Sequence, residues 1–82
     1  MTRPSDPSRW HIGLIGYGEV GRILAEDLRA RGVAVSAYDL KLARPDTAAA
    51  LQAHAAGHGV LLAASHADLA SRADLIVSAV TA

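Results

Sequence analysis

The strongest indication of chemistry in this sequence is a glycine pattern between residues 16 and 21. These residues read Gly-Tyr-Gly-Glu-Val-Gly and fit G-x-G-x-x-G. Between a strand and a helix, the first glycine allows a tight turn, the second lets a phosphate approach the backbone, and the third lets the helix pack on the strand. Free N–H groups and the positive end of the helix dipole then attract an anion. We therefore predict a pyrophosphate site formed by Gly16, Tyr17, Gly18, Glu19, Val20 and Gly21.

An acidic residue in the right place completes this pattern. Asp39 lies at the end of the next predicted strand, close to the spacing of about 20 residues that dinucleotide-binding folds use. A carboxylate there can accept hydrogen bonds from the hydroxyl groups of the adenosine ribose. Its charge would repel the 2′-phosphate of NADP, although Lys41 and Arg44 follow closely and could neutralise that phosphate. We expect NAD as the cofactor, with NADP less favoured, and we place Lys41 at the site.

The histidines give weaker signals. His54 and His58 have the spacing of two metal ligands on one helix face, but we expect Gly57 to end the helix between them, and no third ligand is evident. We therefore expect no metal site. His11 and His66 are interpreted as surface or capping residues rather than as catalytic bases.

No catalytic residue is predicted within the chain. Ser65, His66 and Asp68 are too close in sequence to form a hydrolytic triad, and they match the spacing of a helix capping box instead. Tyr17 and Tyr38 flank the predicted nucleotide site. Contact with the nucleotide and half-buried packing are both open interpretations of these two side chains.

Composition narrows the class of protein. The 82 residues carry 8 basic and 8 acidic side chains with no cysteine, so disulfides and thiolate metal sites are excluded. The basic residues are scattered, which argues against nucleic-acid binding. No apolar run approaches the roughly 18 residues of a membrane span. We expect a cytoplasmic protein that binds neither membranes nor nucleic acid.

The elements that must position the site alternate strictly along the chain. Apolar runs predict strands at 10–15, 33–38, 60–62 and 75–80. Helices are predicted at 19–31, at 47–56 with Asp46 as its cap, and briefly from Ser65 to near Arg72, with 41–45 as a loop. On the first helix, the apolar stripe predicted to face the core is Val20, Ile23, Leu24 and Leu28. Continuous apolar strands alternating with helices predict a doubly wound parallel sheet, the Rossmann fold.

The domain organisation follows from this order. Residues 1–9 are polar, contain two prolines and are expected to be a disordered leader. Residues 10–82 are expected to be the N-terminal part of a dinucleotide-binding Rossmann domain. A complete domain of this kind has about six strands, so four predicted strands indicate an incomplete one.

The segment 12–21 resembles the opening of the β-hydroxyacid dehydrogenases, which include 3-hydroxyisobutyrate and 6-phosphogluconate dehydrogenases. The likeness continues through Leu28, Gly32, Asp39 and the segment 73–77. Val20 stands where that family usually has Met, and 78–82 lacks the usual proline-containing loop, which is closer to the 6-phosphogluconate-dehydrogenase-like branch. The resemblance implies an oxidoreductase that transfers a hydride between the nicotinamide cofactor and a small, possibly phosphorylated, hydroxy acid. It also implies that Val80 and Thr81 pass near the cofactor.

The same resemblance implies that the catalytic lysine and the helical dimerisation domain come later than these residues. The chain alone is then expected to bind cofactor without catalysis, and the full-length enzyme to be a homodimer acting on a small molecule. One alternative is a non-catalytic module that binds and senses NAD(H), which fold analogy does not exclude. An FAD-binding Rossmann unit, which shares the glycines and the acid, ranks below both.

Overall fold

The computed structural model describes residues 9–80. The predicted leader, apart from Arg9, and Thr81 lie outside the described residues. The strands are β1 His11–Ile15, β2 Ala34–Tyr38, β3 Leu61–Leu62 and β4 Leu75–Ser78. The helices are α1 Glu19–Ala30, α2 Pro45–His58 and α3 His66–Arg72, with a 3-10 helix at Leu40–Ala43.

The four strands form one parallel sheet in the order β3-β2-β1-β4. In its register Ile15 lies opposite Tyr38 on one side and opposite Ser78 on the other. The carboxyl ends of β1, β2 and β4 therefore lie side by side at the same end of the sheet. The predicted Rossmann-like α/β fold is confirmed.

The helices cover both faces of this sheet. The chain moves outward from β1 to β3 and then returns to β4, so right-handed crossovers place α3 on the face opposite α1 and α2. The side chains of β1 agree with this. Ile12 and Leu14 belong to the core cluster shared with α1 and α2, whereas a Cβ on Gly13 would lie 2.8 Å from Ala73 and 3.2 Å from Leu69 of the α3 side. Glycine at this position lets α3 approach the sheet closely.

The buried face of α1 differs from the predicted stripe. Gly21 and Ala25 are the buried residues of this helix, while Val20 and Ile23 are 51% and 60% exposed. Leu24 and Leu28 do pack against the core, as predicted. The small residues decide the orientation because they let the helix axis lie close to the sheet, and this rotates Val20 and Ile23 outward.

The bounds of α2 also differ from the prediction. The helix begins at Pro45, with Arg44 as its N-cap, so Asp46 lies in the first turn and is not the cap. Proline suits this first position because its fixed φ matches the helix, and the N–H that proline lacks would have no intrahelical partner there. A 3-10 helix occupies most of the predicted loop. The helix continues through Gly57 to His58, and its C-cap is Gly59, whose φ of 70° is left-handed.

The cap of α3 forms as predicted. The hydroxyl of Ser65 accepts a hydrogen bond from the Asp68 N–H at 3.0 Å. One carboxylate oxygen of Asp68 accepts from the Ala64 N–H at 2.9 Å, and the other accepts from Arg72 Nε at 3.1 Å. The bond from Ala64, followed by that from Arg72, lowers the pKa of Asp68 below its ordinary value.

The last strand lies at an edge of the sheet and is shorter than predicted. It ends at Ser78, and its residues Leu75 and Ile76 are 41% and 39% exposed. Between residues 9 and 80, no helix has the length and apolar character needed to cross a lipid bilayer.

Candidate functional site

A cavity of about 370 Å³ opens at the carboxyl ends of β1, β2 and β4. Strand order reverses at this point, since β1 has β2 on one side and the later β4 on the other. Ligands of open α/β sheets bind in the crevice at such a reversal. The residues that line the cavity are Ile15, Gly16, Gly18, Tyr38, Asp39, Leu40, Lys41, His66, Ala79 and Val80.

The three glycines of the motif form the turn between β1 and α1. Gly16 has a φ of 100°, a conformation that L side chains rarely adopt, and its N–H donates to the Tyr38 carbonyl at 2.8 Å. A Cβ on Gly21 would lie 2.3 Å from the Gly16 carbonyl oxygen, so α1 can pack here only without a side chain. These two glycines serve the fold.

Gly18 differs from the other two glycines. It is the N-cap of α1, and because glycine has no side chain, the first N–H groups of the helix receive no side-chain cap. Among residues 9–80, no atom lies within 4 Å of a Cβ placed at this position, although the residue lines the cavity. The space beside Gly18 is therefore open to a ligand, and the N–H groups that begin α1 lie next to it.

The carboxylate of Asp39 is fixed by two backbone groups. One oxygen accepts the Tyr17 N–H at 2.7 Å, and the other accepts the Lys41 N–H at 2.8 Å. Each carboxylate oxygen has a second lone pair. The acid therefore holds the glycine turn and the 3-10 helix in place while it retains acceptor capacity toward the cavity that it lines.

The predicted site residues are only partly brought together. Five of them line the cavity, and these are Gly16, Gly18, Asp39, Lys41 and Val80. The side chains of Glu19 and Val20 are exposed outside it, Gly21 is buried beneath the turn, and Thr81 is not among the described residues. Arg44, the second cation considered for a 2′-phosphate, does not line the cavity and pairs with Asp46 at 3.7 Å.

Tyr17 contributes its backbone to this region, and its side chain points elsewhere. The ring is fully buried, and its hydroxyl lies 2.5 Å from Nδ1 of His54 on α2. Burial raises the pKa of the Tyr17 hydroxyl to about 12. Of the two interpretations left open for this side chain, the structure favours packing.

Two aromatic side chains, Tyr38 and His66, form a wall of the cavity, and from the sequence only Tyr38 was considered for contact with the nucleotide. The rings of Tyr38 and His66 make an edge-to-face contact with centroids 4.7 Å apart. His66 is exposed at the first position of α3, and it lines the cavity because α3 starts just after the carboxyl end of β3. The sequence could have indicated His66 as a cavity residue, because it lies at the start of a helix that directly follows a predicted strand.

Comparisons with known proteins agree with this geometry. The profile of the family described as NADP oxidoreductase, coenzyme F420-dependent, matches residues 11–82. Among solved structures, the chain is similar to the crystal structure of a conserved hypothetical protein from Sinorhizobium meliloti 1021, with 38% identity and a TM-score of 0.78. The match covers 87% of this chain and 24% of that protein, so the chain spans about a quarter of its length. A comparison with curated proteins gives no significant match.

The family match supports the nicotinamide-dependent Rossmann part of the sequence prediction. It does not extend to the resemblance with the β-hydroxyacid dehydrogenases, to a substrate class, or to the choice between NAD and NADP. The family match over residues 11–82 agrees with the glycine turn, the fixed carboxylate of Asp39 and the cavity at the strand reversal. This chain belongs to the family of coenzyme F420-dependent NADP oxidoreductases.

Proposed function

We propose that the cavity binds the adenosine diphosphate part of a nicotinamide dinucleotide, within an oxidoreductase that transfers a hydride to or from the nicotinamide. The observation that carries this proposal is the open space at Gly18 beside the fixed carboxylate of Asp39. A pyrophosphate needs close access to backbone N–H groups, and a ribose needs an acceptor a short distance away. The cavity provides both on neighbouring strands.

Each site residue has a distinct role in this proposal. The turn at Gly16 and Gly18 holds the pyrophosphate against the N–H groups of Glu19 and Val20 at the start of α1. Asp39 accepts hydrogen bonds from the ribose hydroxyls through its remaining lone pairs. The bound cofactor supplies the hydride chemistry, and the chain supplies position and charge complementarity.

Two further residue groups complete the proposed contacts. Lys41 and Val80 contact the nucleotide from the cavity wall that they line. The resemblance stated from the sequence adds Thr81, the residue after Val80. The flat rings of Tyr38 and His66 suit contact with the adenine, because aromatic pairs accept a further ring at an edge or a face.

Two observations suggest different substrates for the hydride exchange with the nicotinamide. The resemblance to β-hydroxyacid dehydrogenases favours a small, possibly phosphorylated, hydroxy acid and a homodimeric enzyme. The family description names coenzyme F420 as the partner of NADP. Assays of the whole protein with each substrate distinguish them.

The cofactor preference is proposed from charge. Asp39 lies where a 2′-phosphate would be close to a carboxylate, which favours NAD, as the sequence indicates. NADP is the cofactor in the family description, and Lys41 is the cavity residue whose charge would accept its phosphate. We propose NAD on the strength of the Asp39 carboxylate.

The test is a calorimetric titration of the purified chain with NADH, NADPH and FAD in separate experiments. The proposal predicts saturable binding of NADH at one site, weaker binding of NADPH and no binding of FAD. Tighter binding of NADPH would overturn the NAD preference and assign the phosphate contact to Lys41. A folded chain that binds none of the three would contradict the nucleotide site itself.

A further inference from the structure

Three potential metal ligands lie together on the side of the molecule formed by α1 and α2. Glu26 of α1 and His54 and His58 of α2 each direct one ligand atom into a cluster in which these atoms lie within 4.8 Å of one another. The sequence predicted no metal here, because Gly57 was expected to end the helix between the histidines. Instead α2 continues to His58, which places the two imidazoles four residues apart on one face.

We propose that Glu26, His54 and His58 form a binding site for a divalent transition-metal ion, with zinc as the ion that the donor set fits best. Two imidazole nitrogens and one carboxylate oxygen are a ligand set that zinc uses in sites where its fourth position is left to water. Histidines at positions i and i+4 of a helix are one way of supplying such a pair. The bound ion would join α1 to α2.

The distances allow this coordination with small movements. Zinc binds nitrogen and oxygen ligands at about 2.0–2.2 Å, so its tetrahedral ligand atoms lie roughly 3.3–3.6 Å apart. His54 Nε2 already lies 2.8 Å from Glu26 Oε2, and the rings of His54 and His58 have centroids 4.4 Å apart. The Glu26 side chain is 46% exposed and His58 is exposed, so rotation of both side chains can adjust the geometry.

His54 is held in the orientation that a metal-binding histidine requires. Its Nδ1 lies 2.5 Å from the hydroxyl of the buried Tyr17, while Nε2 faces Glu26. Metal-bound histidines usually donate their other ring N–H to a fixed acceptor, which sets the tautomer and directs the ring. In that tautomer the Nδ1–H donates to the Tyr17 oxygen, and Nε2 is left as the ligand atom.

A nearby cation does not occupy the site. The guanidinium of Arg29 donates to the carbonyl oxygens of His58 and Val33 at 3.1 Å each, so it is fixed on backbone groups. Without a metal, the hydrogen bond between His54 and Glu26 would simply link the two helices. Zinc binding that depends on His58, which takes no part in that hydrogen bond, distinguishes the two possibilities.

The experiment is a calorimetric titration of the metal-free chain with zinc chloride, with magnesium chloride as the control ion. We expect one zinc ion per chain, no binding of magnesium, and a higher melting temperature with zinc. His58→Gln and Glu26→Gln change exposed side chains, so both variants should remain folded by circular dichroism. Each should weaken zinc binding by about tenfold or more, since each removes one ligand.

The matched control is His66→Gln, which removes an exposed histidine outside the cluster and should bind zinc as the unaltered chain does. Absence of zinc binding to the folded chain, or equal affinity of His58→Gln and the unaltered chain, would overturn the proposal. Binding of NADH to His58→Gln is expected to be unchanged. The proposals of a zinc site and of a nucleotide site are therefore tested independently of each other.

Discussion

The backbone N–H of Tyr17 donates a 2.7 Å hydrogen bond to the carboxylate of Asp39. This bond joins the glycine turn after β1 to the end of β2, which are the two halves of the dinucleotide-binding pattern. The other carboxylate oxygen accepts the Lys41 N–H. Asp39 therefore shapes the cavity in addition to lining it.

Asp39→Asn is predicted to change the cofactor preference. The amide keeps the size of the side chain and one acceptor oxygen. It loses the negative charge that disfavours a 2′-phosphate and one of the two hydrogen bonds from the Tyr17 and Lys41 N–H groups, so the ratio of the two affinities is the quantity that reports the charge. We expect the ratio of NADH to NADPH affinity to fall by about tenfold, which corresponds to about 1.4 kcal/mol. Calorimetric titrations with both cofactors measure it. Asp27→Asn, which alters an exposed acid outside the cavity, is the control and should leave the ratio unchanged.

Gly21→Ala and Gly57→Ala are predicted to have opposite effects on stability. A Cβ on Gly21 would lie 2.3 Å from the Gly16 carbonyl oxygen, and the backbone shift needed costs about 1–3 kcal/mol. Gly57 lies within α2, where a Cβ meets no atom of the described part of the chain within 4 Å, so alanine should stabilise the helix by roughly 0.5–1 kcal/mol. Urea denaturation measures both. A Gly21→Ala variant as stable as Gly57→Ala would contradict the packing described.

The stability of the chain is predicted to fall as the pH decreases below neutral because of His11. Burial lowers the pKa of His11 below 6.5, and its Nε2 lies 2.5 Å from the Ser36 hydroxyl. Below about pH 6.5 the unfolded chain binds this proton more readily than the folded chain. Stability is therefore lost from pH 6.5 downward, until the folded histidine also titrates.

Melting temperatures at pH 7.5, 6.5 and 5.5 check this expectation for His11. The decrease should be smaller in His11→Gln, because the titrating group is gone. His66→Gln removes an exposed histidine and should show the decrease of the unaltered chain. An unchanged decrease in His11→Gln would assign the pH dependence to another group.

Asp68→Asn is predicted to destabilise the chain at neutral pH and to lose this effect in acid. The lowered pKa of Asp68 means that its ionised form is stabilised by the bonds from Ala64 and Arg72. This stabilisation is complete above the ordinary pKa of 3.8 and disappears as the pH falls through the lower pKa of the folded state. The difference in melting temperature between the variant and the unaltered chain should shrink at low pH. Asp27→Asn, at an exposed pair with Arg31, is the control for loss of charge.

Features encoded in short segments could be predicted from the sequence. The glycine turn and the cap at Ser65 each depend on residues close together in the chain, with backbone requirements that few residue types meet. Asp39 was found by its spacing from the glycines and its place at the end of the next strand. The parallel sheet followed from continuous apolar strands between helices. These features set the fold and most of the cavity.

Features that depend on tertiary packing could not be predicted in the same way. The burial of Gly21 in place of Val20 depends on how closely α1 approaches the sheet, which hydrophobic periodicity does not record. The partners of His54 are Tyr17 and Glu26, which come from other elements far away in sequence. Only the assembled fold brings these three residues together.

The most direct test of the nucleotide site is a calorimetric titration of Gly18→Ala with NADH. The new methyl group would occupy the open space beside the turn without contacting other atoms of residues 9–80, so the melting temperature should remain close to that of the unaltered chain. We predict that NADH affinity falls by about tenfold or more, since the methyl group excludes the pyrophosphate from the backbone. Gly57→Ala should bind NADH normally. Unchanged NADH binding by a folded Gly18→Ala variant would contradict the proposed site.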